Sequence, residues 1–459
     1  MRRIPNYVIA IVLFILSTII LYLSFFNNSW HVANQSWLDN GQISGDHYVL
    51  GRMLKSHRDG ILSQGGFLGI VLPPVITKIP AYYQAYTYQL DAYITNMKFD
   101  GFSYYASQIG GQGMFYSILD ELLHRSPHDK LRLFYEGTSL LSAILLAFTI
   151  LWFYQEFGLT VALTVLASTI FSQWLLDFGK SLFWSLWAFY LPMIAVAFFL
   201  RWKKIPVTRK QLLWFGSVVF VTIFIKCLFN GYEFNTTALV MMTVPIAYYC
   251  ILEQVPWRKL VGVSGTAAAS AVLAILVSFV ILCFQFGLIG GGFSAGVNHI
   301  VYSFEKRSYA NPQDFSSQLT ASLEASPVDV VITYLNGVYV DLNNISPASN
   351  TSLSDNVYQI KYWYLLVIFA LGSILLYIFR KRPFYKDKAG LVLVYATWFS
   401  ILAPLSWYII FKSHAYVHHF DTIVWQMPFT FFGFAVCGLV LRNVLLDFYQ
   451  FTRRTFICG

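Results

Sequence analysis

Two apolar runs stand almost back to back near the end of the chain. Leu391 to Phe411 holds no charged residue, and neither does Thr422 to Val440. Each is long enough to cross a bilayer as a helix, which needs about 20 residues. Such runs recur along the chain, and they decide the fold class before anything else does. In hydrocarbon every backbone amide must be satisfied internally, so a spanning run is a helix. Only 12% of the 459 residues are charged and 57% are hydrophobic, against about a quarter charged in a soluble domain. The expected fold is therefore an all-α polytopic membrane protein. About ten transmembrane helices are expected, near 5–26, 137–155, 158–176, 181–200, 212–228, 237–252, 261–288, 362–380, 389–411 and 422–441.

The five cysteines lie in or beside apolar runs without paired spacing, so neither a disulfide framework nor a zinc site is read from them. The net charge of +9 is a matter of topology rather than of nucleic acid. Arg2 and Arg3, Arg201 to Lys210, Arg258 and Lys259, Arg380 to Lys388, and Arg442 with Arg453 and Arg454 fall on one side of the helices. By the positive-inside rule that side is cytoplasmic, and both termini belong to it. The first apolar run is too long for a signal core and lacks a small-residue cleavage site.

Two long segments are then expected outside. The first, 27–136, contains Gly60 to Ile79, apolar but broken by Gly65-Gly66 and Pro73-Pro74 and suited to the membrane interface. A tyrosine cluster follows, and Met114 to Leu123 reads as a second interfacial helix. The second, 289–361, opens on Gly290-Gly291-Gly292. Its Asn336-Gly337, set between β-branched residues, predicts a hairpin over 328–340. The whole chain, 1–459, reads as one transmembrane domain.

Between the two opening runs lies Lys412-Ser-His-Ala-Tyr-Val-His-His-Phe-Asp421. Ionisable groups are costly at membrane depth and usually mark a site. Two other turns on the same side carry charge: Asp177 with Lys180, and Lys226 with Asn230-Gly-Tyr-Glu233. Together they predict one anion-binding cavity, with Lys412, Lys226, His414, His418 and His419 holding a donor phosphate. Glu233, Tyr232, Asp421 and Arg307 are expected in support. A purely structural ion pair between Lys226 and Glu233 is the plainer alternative. Asp46 and Asp39 of the first segment are candidate bases for a bound hydroxyl. Asp46, beside Gly45, is preferred, and a helix-capping role is its alternative. Trp30, Trp37 and the tyrosines are candidates for stacking on sugar rings, or else an interfacial belt. His414, His418 and Asp421 have a spacing that suits a divalent metal, although no distant third ligand is evident. No cofactor is certain. The glycine-rich stretches at 110–113 and 290–292 lack the Lys-Ser/Thr of a phosphate-binding loop.

This layout resembles the GT-C fold of lipid-linked-sugar glycosyltransferases, a group that includes oligosaccharyltransferases, protein O-mannosyltransferases and aminoarabinose transferases. The shared features are one helix followed by a long external loop with an acid and interfacial helices, many helices joined by short turns, and an external face carrying Lys and His. The stretches Lys226-Cys-Leu-Phe-Asn-Gly-Tyr-Glu233 and Lys412-Ser-His…Trp425-Gln-Met-Pro428 also resemble uncharacterised bacterial inner-membrane proteins of polysaccharide gene clusters. The chain departs from the group in lacking a paired-acid motif in the first loop and a soluble C-terminal domain. The resemblance implies a multi-pass protein of the bacterial inner membrane. Its donor would be a polyprenyl-phosphate sugar, its acceptor a glycan or lipid, with membrane lipids around it. A polysaccharide polymerase or ligase, with Lys306 and Arg307 carrying more of the work, is a second reading. A lipid-linked glycan flippase is a third; such transporters usually carry repeated halves, and none is visible here.

Overall fold

The computed structural model describes residues 5–35, 37–38, 45–72, 82–206, 208–344, 358–378 and 388–457. The chain is helical, with two small antiparallel strand pairs among the described residues. Among the described residues, eight helices are long and apolar enough to span a membrane. They are α1 (Asn6–Asn27), α5 (Pro127–Phe157), α8 (Leu186–Lys203), α9 (Arg209–Asn230), α10 (Asn235–Leu252), α11 (Trp257–Leu288), the continuous pair α16 and α17 (Lys388–Ile410), and α19 (Phe429–Ile457). The expected count of ten is met only in part. The expected third span is two helices, α6 (Leu159–Ile170) and α7 (Gln173–Gly179), bent by 70°. Ser172 causes the restart: its hydroxyl caps α7 by accepting from the Leu175 amide. The expected eighth span is α15 (Tyr362–Ile378), 17 residues long and short of the others. The run expected to span from Thr422 begins instead at Phe429, because His419–Gln426 is a 3-10 segment, buried from Asp421 onward.

Helix ends follow local chemistry. Thr208 and Gln211 form a reciprocal capping box at the start of α9. Ser126 caps α5, with Pro127 in its first turn. In the bundle α1 packs along α5, α9 along α8 and α11, α10 along α8 and α17, and α19 along α6.

Residues of the two long segments pack at the end of the bundle that carries the α9–α10 turn. In the first segment, α2 (Asp46–Asp59) lies against β1 (Leu68–Leu72), which pairs with β2 (Gly101–Tyr105). The helices α3 (Tyr82–Thr95) and α4 (Gly111–Leu122) complete that layer. The apolar stretch read as interfacial is thus a 3-10 turn at Ser63–Gly66 and a buried strand as far as Leu72; its last part, 73–79, lies outside the described residues. Buried Arg52 holds the layer together, its guanidinium donating to the Ser63 carbonyl (2.6 Å) and hydroxyl (2.7 Å) and to the Ser56 hydroxyl (2.9 Å). Gln285 of α11 ties the layer to the bundle by donating to the carbonyls of Gly65 (2.8 Å) and Ile109 (2.9 Å).

The second segment contains α12 (Gly292–Arg307), α13 (Thr320–Glu324), α14 (Pro327–Leu335) and β3 (Val338–Asp341). The hairpin predicted over 328–340 is not there. Ser326 caps a helix with Pro327 at its first position, and Asn336 and Gly337 end that helix instead of turning a hairpin. The partner of β3 is β4 (Gln359–Lys361). Trp174 of α7 donates to the Val338 carbonyl (2.9 Å) and fixes the segment to the bundle.

Candidate functional site

A cavity of about 610 Å³ opens where both segments meet the bundle. Its wall comes from Gly45, Tyr48, Tyr105 and Ser107 of the first segment, Phe183 and Trp184 before α8, and Glu233 in the α9–α10 turn. The rest comes from Lys306, Arg307 and Leu319 of the second segment, from Ser413 and His414, and from Val417 to Asp421.

Glu233 is buried on a turn that needs glycine at position 231. Gly231 has φ +55°, and a Cβ there would run into the Gln108 side chain. Lys226, buried one turn back in α9, points its ammonium at the carbonyls of Gly231 (3.1 Å) and Glu233 and at the Asn235 side chain. Lys226 therefore braces the turn through backbone oxygens. It does not pair with the Glu233 carboxylate and does not line the cavity. That carboxylate is shared between Arg307 (3.2 Å) and Nε2 of His414 (3.5 Å).

His414 sits on α18 (Lys412–Val417). Its Nδ1 lies 3.0 Å from Oδ2 of Asp421, which also accepts from the Trp407 indole at 2.7 Å. The Tyr408 hydroxyl donates to the Asp421 carbonyl (3.1 Å). Asp421 is thereby fixed, and it orients the imidazole with Nε2 toward Glu233. The result is a continuous chain, Asp421–His414–Glu233–Arg307, across one wall of the cavity. Burial works against the charge on Glu233, but Arg307, His414, His418 and Lys226 outweigh it, and its pKa lies below the ordinary value. Burial likewise lowers the His414 pKa, but Glu233 and Asp421 outweigh it, and the imidazole is held above its usual 6.5.

Lys412 is placed differently from the expectation. Its ammonium donates to the carbonyls of Leu323 (2.6 Å) and Ala325 (2.7 Å), and Ser413 bonds the Ser322 hydroxyl (3.0 Å). The Tyr334 hydroxyl lies 2.6 Å from the carbonyls of both Ala415 and His418. The second segment is thus strapped to α18, and Lys412 is one of the straps rather than part of the cavity wall. The cations that do line the wall are the neighbours Lys306 and Arg307 at the end of α12. His418 and His419 stand more exposed at the rim, the His418 ring 4.3 Å from that of His414.

Asp46 also departs from its expected role. It starts α2 next to Gly45, but its Oδ1 accepts from the Ser181 hydroxyl and the Phe183 amide, both at 2.9 Å. Gly45 reaches the cavity wall and the Asp46 carboxylate does not. Burial pushes that carboxyl up to about 6, even with the Phe183 and Ser181 bonds opposing it. Asp39 lies outside the described residues. Tyr232 packs on Phe279, with centroids 4.7 Å apart, and is not in the wall.

The aromatic wall is Tyr48, Tyr105, Phe183, Trp184 and Phe420. Tyr48 stacks on Tyr105 at 4.5 Å. The tyrosines of α3 do other work: Tyr93 bonds Asp120 at 2.6 Å and Tyr86 meets Tyr135 at 3.3 Å. Trp37 packs edge-on against Trp174, and Trp30 is exposed. Tyr105 and Trp184 were missed in the sequence because single aromatics in an aromatic-rich chain carry no spacing signal. Among the described residues no group of three or more His, Cys, Asp or Glu side chains is placed to hold a metal ion. No protein-family model, no curated protein and no solved structure matches the chain.

Proposed function

We propose that this protein is a glycosyltransferase that moves a sugar from a polyprenyl-phosphate donor to a hydroxyl acceptor at the extracytoplasmic face of a bacterial inner membrane. One observation carries the reading. The cavity is lined by both a basic pair, Lys306 and Arg307, and an aromatic wall, at the bundle end remote from Arg201, Lys203, Arg258 and Arg442. Arg307 is countered by Glu233, whereas Lys306 has no ion pair among the described residues. An anion at the rim would complete that charge balance, and flat aromatic faces suit the apolar faces of a sugar ring. A leaving phosphate develops charge as the glycosidic bond breaks, and fixed cations stabilise it. The positive-inside rule puts the remote basic end in the cytoplasm, with both termini, and the cavity outside. Phe293, Val297, Val301 and Phe304 form an exposed apolar face on α12, next to the bilayer in this orientation. A lipid carrier could reach the cations along it.

Because the cations belong to the second long segment and Asp46 is turned away from the cavity, a polysaccharide polymerase or ligase is the second reading. It shares the donor chemistry and differs in the acceptor. Binding of farnesyl phosphate to the protein in nanodiscs tests the shared part. Lys306→Gln should weaken that binding about tenfold, the equivalent of about 1.4 kcal/mol. Absence of binding to the wild type, or equal binding by the variant, would refute the reading. Deleting the gene and finding which envelope glycan shortens or loses a branch then separates transferase from polymerase.

A further inference from the structure

We propose that Glu233 is the base that takes the proton of the acceptor hydroxyl, with His414 and Asp421 as the positioning chain behind it. The identity of the hydroxyl rests on the glycosyl-transfer reading above; the chain of contacts does not.

Glu233 has two carboxylate oxygens with different surroundings. Oε1 is clamped by Arg307 at 3.2 Å. Oε2 is buried and accepts no hydrogen bond; the nearest donor, Nε2 of His414, stands off at 3.5 Å. A buried carboxylate oxygen without a donor is costly, and here it belongs to a residue in the wall of the cavity. A hydroxyl entering the cavity would supply the missing donor. The rest of the assembly holds Glu233 ready. Asp421 accepts from both the Trp407 indole and the His414 ring, so the imidazole is not free to rotate. Lys226 fixes the backbone of residues 231 and 233.

In the reaction the acceptor O–H bond breaks and its proton goes to Oε2 of Glu233. The oxygen's electron pair forms the new bond to the anomeric carbon. The bond from that carbon to the phosphate oxygen breaks, and its pair leaves with the phosphate toward Lys306 and Arg307. The proton on Glu233 is then released to water through the open cavity. A carboxylate with a low pKa suffices where the attacking hydroxyl loses its proton late, as its oxygen bonds to a strongly electrophilic carbon.

The charged groups around His414 come from several elements. Glu233 faces it from the α9–α10 turn and Arg307 from α12, with Lys306 beside Arg307. His418 and Asp421 follow on its own stretch, and Lys412 lies at the base of its helix. From α14 and α17 the Tyr334 and Tyr408 hydroxyls face this stretch, while Glu324 and Asp329 are exposed.

The test uses full-length protein in nanodiscs, farnesyl-phosphate glucose as donor and methyl glucoside as acceptor. Glu233→Gln should bind the donor within about twofold of wild type and lose at least about 100-fold in turnover. His414→Gln removes a positive neighbour of Glu233, so the acid limb of the pH–rate profile should move to higher pH. Asp421→Asn should lower the His414 pKa, read directly as a shift of the imidazole titration to lower pH. Retained turnover in Glu233→Gln, or an acid limb unmoved in His414→Gln, overturns the assignment while the donor reading stands. If the wild type neither binds nor turns over the donor, that reading fails instead. The assignment is then judged on the wild type with labelled histidine, titrated by NMR from about pH 5 to about pH 9. His414 should titrate above the ordinary range and drop in Glu233→Gln; an ordinary, unshifted titration refutes the chain.

Discussion

At the scale of single residues, burial and partners decide which of the many polar side chains can act. Asp46 and Glu233 are both buried acids, yet they differ in kind. Asp46 gives one oxygen to the Ser181 hydroxyl and the Phe183 amide, and so joins α2 to the turn before α8. Its folded pKa is raised, from 3.8 to about 6. The folded protein then binds more protons than the unfolded chain between about pH 4 and about pH 6, and stability falls as pH rises through that window. The full penalty, on the order of 3 kcal/mol, is reached above about pH 6. Asp46→Asn cannot titrate. Its thermal stability relative to wild type should therefore improve between about pH 4 and about pH 7, as measured by scanning fluorimetry in detergent. A wild type that gains stability over Asp46→Asn as pH rises would mean that the carboxylate is needed in its ionised form. His414 and Glu233 carry opposite signs to each other. The raised His414 pKa contributes stability fully present below pH 6.5 and lost as pH rises through the folded value. The lowered Glu233 pKa contributes stability present above pH 4.5 and lost as pH falls through its folded value. The pair is therefore strongest between those limits. His414→Gln should cost stability at about pH 6 and progressively less toward about pH 9.

At the scale of elements, the site depends on how α18 is held. Lys412 spans from α18 to the carbonyls of Leu323 and Ala325, and Tyr334 of α14 reaches back to Ala415 and His418. Removing the ammonium takes this donor from the buried Leu323 carbonyl, at about 1–3 kcal/mol, and from the partly buried Ala325 carbonyl at less. Lys412→Ala should lower the melting temperature and loosen residues 312–325, seen as faster amide exchange there. Lys412→Arg should recover much of both, because the charge and several donors remain. Loss of activity in Lys412→Ala with unchanged melting and exchange would instead place the ammonium on a ligand. The α9–α10 turn is equally specific. Gly231→Ala needs a strained backbone and displaces Gln108. It should abolish activity even where the protein still inserts, checked by membrane fractionation beside the transfer assay.

At the scale of the whole molecule, the cavity exists because two segments far apart in the chain fold over one end of the bundle. Which side of the membrane that end faces is a matter of charge. Asn336 is exposed in the second segment and Lys259 is exposed at the opposite end. Cysteine at position 336 should label with an impermeant thiol reagent in intact spheroplasts, and cysteine at position 259 only after lysis. The reverse pattern would turn the protein over and end the case for a donor taken from the outer leaflet.

The amino-acid sequence by itself determined the membrane class, most of the spans and the side that collects basic residues. These depend on the length and composition of contiguous runs, and a helix in hydrocarbon satisfies its own backbone. It also marked Lys226 to Glu233 and Lys412 to Asp421 as unusual, since charge beside apolar runs is rare. Tertiary structure decided which of those charges face the cavity. Lys226 and Lys412 turn to backbone carbonyls, while Arg307 and Glu233 meet across 74 positions of sequence. A buried ammonium takes whichever acceptors the fold brings within about 3 Å, and no spacing in the chain encodes that. The same holds for the break in α6–α7 and for Asn336-Gly337. There a cap residue and a helical neighbour outweighed the apolar run in one case and the turn signal in the other.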